Sequence, residues 1–98
     1  MFKFLVSISL SGSMSILSFS IQPSLTGKEI YETKCIRCHG AEGIKGKWGA
    51  TNLQTSRLDD KETIQIIQNG KRNMPSFKKK LSEEQINAVK EYVKSLRK

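Results

Sequence analysis

The two cysteines and the only histidine of this chain fall in one run, Cys35-Ile36-Arg37-Cys38-His39, followed by Gly40. Four chemistries use thiols and imidazole this close together. A disulfide between the cysteines would close a tiny loop and stabilise little. A thioredoxin-type redox pair calls for a preceding strand and a βαβ context, and no segment here alternates at period two long enough to make a strand. A structural zinc site needs a fourth ligand, usually Cys or His, and the sequence has no other. The remaining chemistry is covalent haem attachment, for which C-x-x-C-H is the signature. Two thiols three residues apart lie on one side of a helical turn, where each can add to one of two neighbouring porphyrin vinyl groups. His39 then projects its imidazole at the iron.

Iron held by one histidine is open to ligands, whereas a His/Met pair closes it and suits electron transfer. Of the three methionines, Met1 and Met14 lie in the first twenty residues, leaving Met74. A methionine is more often core filler than ligand, but this one sits in a polar stretch, Asn69-Gly70-Lys71-Arg72-Asn73-Met74-Pro75-Ser76-Phe77. Pro75 stiffens the backbone after it and removes a donor that would otherwise need a partner. A thioether is a neutral, soft donor that favours Fe(II) and so raises the potential.

Three helices must position these groups. The first is expected from about Gly27 to Arg37, with Thr26 as N-cap and Glu29 at capping-box spacing. The second runs from about Asp59 to Asn69, with acidic residues at its positive end and Gly70 as a natural stop. The third runs from Ser82 to about Leu96. There Ser82 and Gln85 form a capping box, and Ile86, Val89, Tyr92, Val93 and Leu96 make an apolar stripe. Residues 40–57 and 71–81 are long loops for so small a domain and need something to pack on.

Composition says what that something is. The chain has 98 residues, 37% hydrophobic and 7% aromatic. A domain this lean needs a disulfide, a metal, a large cofactor or a partner to complete its core. A large self-sufficient enzyme fold is excluded, and a haem would supply the missing apolar mass.

Residues 1–20, MFKFLVSISLSGSMSILSFS, carry one charge, Lys3, and end on Ser18-Phe19-Ser20, a small-x-small pattern. This predicts a cleaved signal peptide and a domain of residues 21–98. The alternative, an uncleaved anchor, wants about 20 strongly apolar residues, and seven of these twenty are serine. Either way the remainder is exported, with the periplasm as its expected location.

Together the motifs resemble a class I, mitochondrial-type, monohaem c-type cytochrome in its small bacterial exported form. The resemblance spans about Gly27 to Leu96. It rests on Gly27-x-x-x-Tyr31, Cys35-x-x-Cys38-His39-Gly40, Asn52-Leu53, Ile67-x-x-Gly70-x-x-x-Met74-Pro75-x-Phe77 and the closing Leu81…Leu96 helix. It implies an all-α small cytochrome c fold, three main helices with long loops wrapped around one covalent haem c. It further implies that Cys35 and Cys38 hold the haem, that His39 and Met74 ligate iron, and that the first and last helices cross closely, Gly27 and Tyr31 against Val89, Tyr92 and Leu96. In the family a proline carbonyl accepts the proximal histidine N–H; this chain has Thr51 at that position. Its carbonyl can make the same bond from a less rigid loop. Trp48 either reaches a haem propionate or covers the ring, and covering is the expected role.

The sequence carries 17 Lys and Arg against 9 Asp and Glu, a formal +8. Lys71, Arg72, Lys78, Lys79 and Lys80 flank the Met74 loop and predict a cationic rim that steers an acidic redox partner. Lys90 and Lys94, on the third helix, are expected to matter less for docking. Nucleic-acid binding fits the charge but not the export or the haem motif. The expected function is a monomeric one-electron carrier rather than an enzyme, meeting the membrane only through a partner complex or an uncleaved N-terminus. The alternative is a haem-bearing subunit of a larger oxidase or dehydrogenase. A ligand-binding or peroxidatic haem protein would need an open iron, and no distal constellation for it is visible.

Overall fold

A computed structural model describes residues 25–98; the expected signal peptide lies outside the described residues. Four α-helices follow in order: α1 (Gly27–Lys34), α2 (Ile36–His39), α3 (Asp60–Asn69) and α4 (Glu83–Ser95), with a 3₁₀ turn at Lys47–Gly49. The three longer ones start at capping boxes. Thr26 Oγ1 accepts from Glu29 N at 3.1 Å while Glu29 Oε1 accepts from Thr26 N at 2.8 Å. Asp59 with Glu62, and Ser82 with Gln85, repeat the reciprocal pair. Each box satisfies two orphan amides, and each cap contributes about 1 kcal/mol.

The first helix does not run unbroken to Arg37, as the pattern predicts. It kinks at Cys35 (φ −114°, ψ −29°), which caps α1 and opens α2. The kink keeps its hydrogen bonds, since Cys35 N donates to Tyr31 O at 2.9 Å and His39 N to Cys35 O at 3.0 Å. No Gly or Pro marks the place, so composition alone could not reveal it. Gly40, at φ +83°, then ends α2.

The α1 and α4 backbones approach closely at Gly27. A Cβ on Gly27 would stand 2.1 Å from the Ala88 carbonyl oxygen, so only glycine fits. Beside this contact the Tyr31 and Tyr92 rings meet at 5.2 Å between centroids, tilted by 50°. The Tyr31 hydroxyl donates to Gly40 O at 2.6 Å, and burial pushes its pKa up to about 12, with Cys35 and Tyr92 adding to the shift. Ile30, Tyr31, Ile67, Phe77, Leu81, Ile86 and Val89 form the buried core. Helix α3 joins α4 through ions: Lys90 and Lys94 both bridge Asp60 and Glu91 at 2.9–3.6 Å.

The long loops are tied down by main-chain bonds. Leu53 N donates to Gly43 O at 2.8 Å, and Lys98 N to Gln54 O at 2.9 Å. After α3, Phe77 N and Lys78 N donate to Ile67 O and Gln68 O at 3.0 and 3.1 Å, satisfying carbonyls that the helix end leaves free.

Candidate haem site

Cys35, Cys38, His39 and Met74 all line one cavity of about 770 Å³. They reach it from two sides of the sequence. The α1–α2 kink supplies the first three residues, and the loop after α3 supplies Met74. Gly70 makes that loop possible. At φ +76° it turns the chain so tightly that a Cβ there would lie 2.5 Å from Met74 O. Lys71 and Met74 then exchange both main-chain bonds, at 3.0 and 2.9 Å, closing a two-residue turn around Arg72 and Asn73.

His39 Nδ1–H donates to Thr51 O at 3.1 Å, so the threonine carbonyl makes the bond expected of it. With that nitrogen carrying the proton, Nε2 keeps a free lone pair, and the ring is oriented by a second contact. Burial holds the imidazole pKa below its ordinary value, while the Thr51 bond acts in the opposite direction. The lowered value favours the neutral ring, the form that ligates metal. Burial, with a contribution from Cys38, pushes the Cys35 thiol up to about 11. No disulfide joins Cys35 and Cys38, so both sulfurs are available for thioether attachment.

Some of the lining was not legible in the sequence. Leu58 and Ile66 add apolar wall, and Lys34, Lys47 and Arg57 add charge at the rim. Only their contact with the cavity reveals them, because none belongs to a motif. Trp48 also lines the cavity but is 58% exposed, with the Lys47 ammonium 4.5 Å from its ring centroid. It takes a left-handed backbone conformation, φ 55°, ψ 33°. Lys71, Arg72, Lys78, Lys79 and Lys80 are all exposed, as expected of a rim. Lys90 is not the surface charge that the sequence suggested. It is buried against Asp60 and Glu91, so with Lys94 it ties α4 to α3.

The donor set fits a haem: two thiols for vinyl addition, a neutral imidazole with one nitrogen free, a thioether, and mostly apolar walls. The volume lies within the range of small-molecule and cofactor sites, about 300–1,000 Å³.

Residues 23–93 match a family model described as cytochrome C oxidase, cbb3-type, subunit III. This chain belongs to the c-type cytochrome family. It is 38% identical over 79 residues to a cytochrome c6-like protein of Nostoc sp. (strain PCC 7120 / SAG 25.82 / UTEX 2576), covering 71% of this chain and 68% of that one. Cytochrome c6 of Leptolyngbya boryana is 36% identical over 73 residues, covering 68% and 85%. Among solved structures, one titled KustC0563 c-type cytochrome superposes with a TM-score of 0.69 at 26% identity, covering 76% of this chain and all of that one. The fold is thus the all-α small cytochrome fold, the cofactor one covalently bound haem c, and the activity haem-based electron transfer rather than enzymatic catalysis. Among the described residues, no helix of this cytochrome is long and apolar enough to cross a membrane.

Proposed function

We propose that this cytochrome is an exported one-electron carrier, with Cys35 and Cys38 as the thioether anchors and His39 and Met74 as the axial pair. Bound haem supplies a one-electron Fe(III)/Fe(II) couple. The observation that carries the reading is the sharing of one cavity by all four side chains. His39 offers Nε2 because Nδ1–H is engaged by Thr51. Met74 offers a neutral sulfur that favours the reduced state. The exposed cations Lys71, Arg72, Lys78, Lys79 and Lys80 steer an acidic redox partner to the cavity mouth. Residues 1–20 direct export to the periplasm and are cleaved after Ser20, leaving residues 21–98 as a monomeric domain.

The test is the visible spectrum of the oxidised protein, together with acid–acetone extraction. The weak red band of methionine-ligated ferric haem is expected, with the colour staying on the protein. A missing band removes Met74 from the iron, and extractable haem removes the thioethers.

A second reading follows from the description of the matching family, which names an oxidase subunit. In it the same domain donates electrons within a stable complex. Purification from the native membrane separates the two, since a carrier leaves the complex at moderate salt and a subunit remains.

A further inference from the structure

The two walls of the cavity are joined by a side-chain hydrogen bond that neither the attachment motif nor the ligand pair explains. Asn73 Nδ2–H donates to the main-chain oxygen of Trp48 at 3.1 Å, across 25 residues of sequence. Both residues line the cavity. We infer that Asn73 is a positioning residue, a clasp that fixes the Met74 turn to the Trp48 turn and so keeps the thioether in place. The inference rests on Met74 being an axial ligand.

The backbone around the bond supports this role. Among the described residues, the non-glycine residues with positive φ are Trp48 (φ 55°) and Arg72 (φ 56°). One is the acceptor itself and the other immediately precedes the donor. A left-handed conformation is unfavourable for a residue that carries a Cβ. It persists only where the surroundings over-determine it, and such strain clusters at functional sites. Because Lys71 and Met74 exchange both main-chain bonds, Asn73 and Met74 belong to one rigid turn. On its other side that turn is anchored to α3 through Phe77 N and Ile67 O. Asn73 supplies an anchor to the Trp48 turn, and its amide does so without adding charge to the cavity lining.

The test uses the haem-loaded protein and two variants, Asn73→Ala and Asn73→Asp. The second keeps the side-chain size but cannot donate. Imidazole binding to the oxidised iron should become about fivefold faster, the change expected for loss of one neutral hydrogen bond. Amide exchange at Lys71 and Met74 should accelerate by a similar factor, a readout that does not pass through the iron. Gln54→Ala is the comparison, because Gln54 Nε2 donates to Glu42 O at the same 3.1 Å outside the cavity lining. It should lower thermal stability without changing imidazole binding. If Asn73→Ala behaves as Gln54→Ala does, the clasp is overturned. Met74→Ala separates this inference from the reading beneath it. Fast imidazole binding there, with unchanged binding in Asn73→Ala, overturns the clasp alone. Unchanged binding in Met74→Ala overturns the ligand assignment on which it rests.

Discussion

Met74 and His39 are held by different means, and their substitutions should differ accordingly. His39 lies one residue from an attachment cysteine and is oriented by Thr51, whereas Met74 depends on a turn set by Gly70. Met74→Ala should leave the haem attached, open the iron to carbon monoxide or cyanide, and lower the reduction potential. Ligand-binding spectra and potentiometry check this. Gly70→Ala should act on the same site through the backbone. Its Cβ would meet Met74 O at 2.5 Å with φ at +76°, so a loss of about 1–3 kcal/mol is expected, read as a lower thermal midpoint with weakened Met74 ligation. Cys38→Ala should accumulate poorly in cells, since half the covalent hold on the missing core is gone.

Helices α1, α3 and α4 meet in two unlike ways. The α1–α4 contact depends on the absence of an atom. Gly27→Val places carbon where the Ala88 carbonyl stands, and overpacking of this kind costs about 1–3 kcal/mol. For a domain of this size each kcal/mol lowers the melting temperature by roughly 4–8 °C, measurable by circular dichroism. The α3–α4 contact depends on charge. Hydrogen bonds to Lys94 and then Lys90 hold the Asp60 carboxyl below its ordinary pKa, and Lys90 does the same for Glu91. Glu91, despite the burial of its partner, raises the Lys90 pKa. Depressed carboxyl pKa values mean stability present above about pH 4.5 and lost as pH falls through the folded values. The raised lysine value means stability kept through neutral pH and lost only in strong alkali. Acid titration of wild type against Asp60→Asn should therefore show a shallower loss in the variant between about pH 5 and 2.

As a whole the molecule is basic, +8 over the full sequence, and the distribution matters more than the sum. Lys71 and Arg72 both line the cavity and are exposed, and Lys78, Lys79 and Lys80 follow in the same loop. Association with an acidic partner should slow as ionic strength rises from about 0.01 to 0.15 M, where the screening length falls from roughly 30 to 8 Å. Stopped-flow rates with Lys78→Glu and Lys79→Glu should drop while the potential stays nearly constant, because exposed charges are well screened. Lys28 and Lys61 are the proper controls, both exposed and neither lining the cavity. Lys90 and Lys94 cannot serve, since reversing them breaks the α3–α4 ion network.

Local chemistry was legible in the sequence. The Cys35…His39 run, the isolated Met74-Pro75 pair and two of the three capping boxes each act over a few residues, so their spacing alone determines what they can do; the Asp59–Glu62 box emerged only in the structure. Gly27 was legible too, although which atom it makes room for was not. The kink at Cys35 carries no breaker residue, and the hydrogen bond from the Tyr31 hydroxyl to Gly40 O appears only when α1 and the end of α2 are assembled. Arg57 and Leu58 line the cavity only because a loop of otherwise ordinary composition wraps there, and Ile66 only because α3 lies beside it. Lys90 reads as a surface lysine until α3 brings Asp60 to it, and Asn73 reads as a turn residue until the Trp48 carbonyl arrives from 25 residues away. Short-range geometry follows from residue type and spacing, whereas burial, charge pairing and the clasp across the cavity depend on distant segments meeting, which no local pattern encodes.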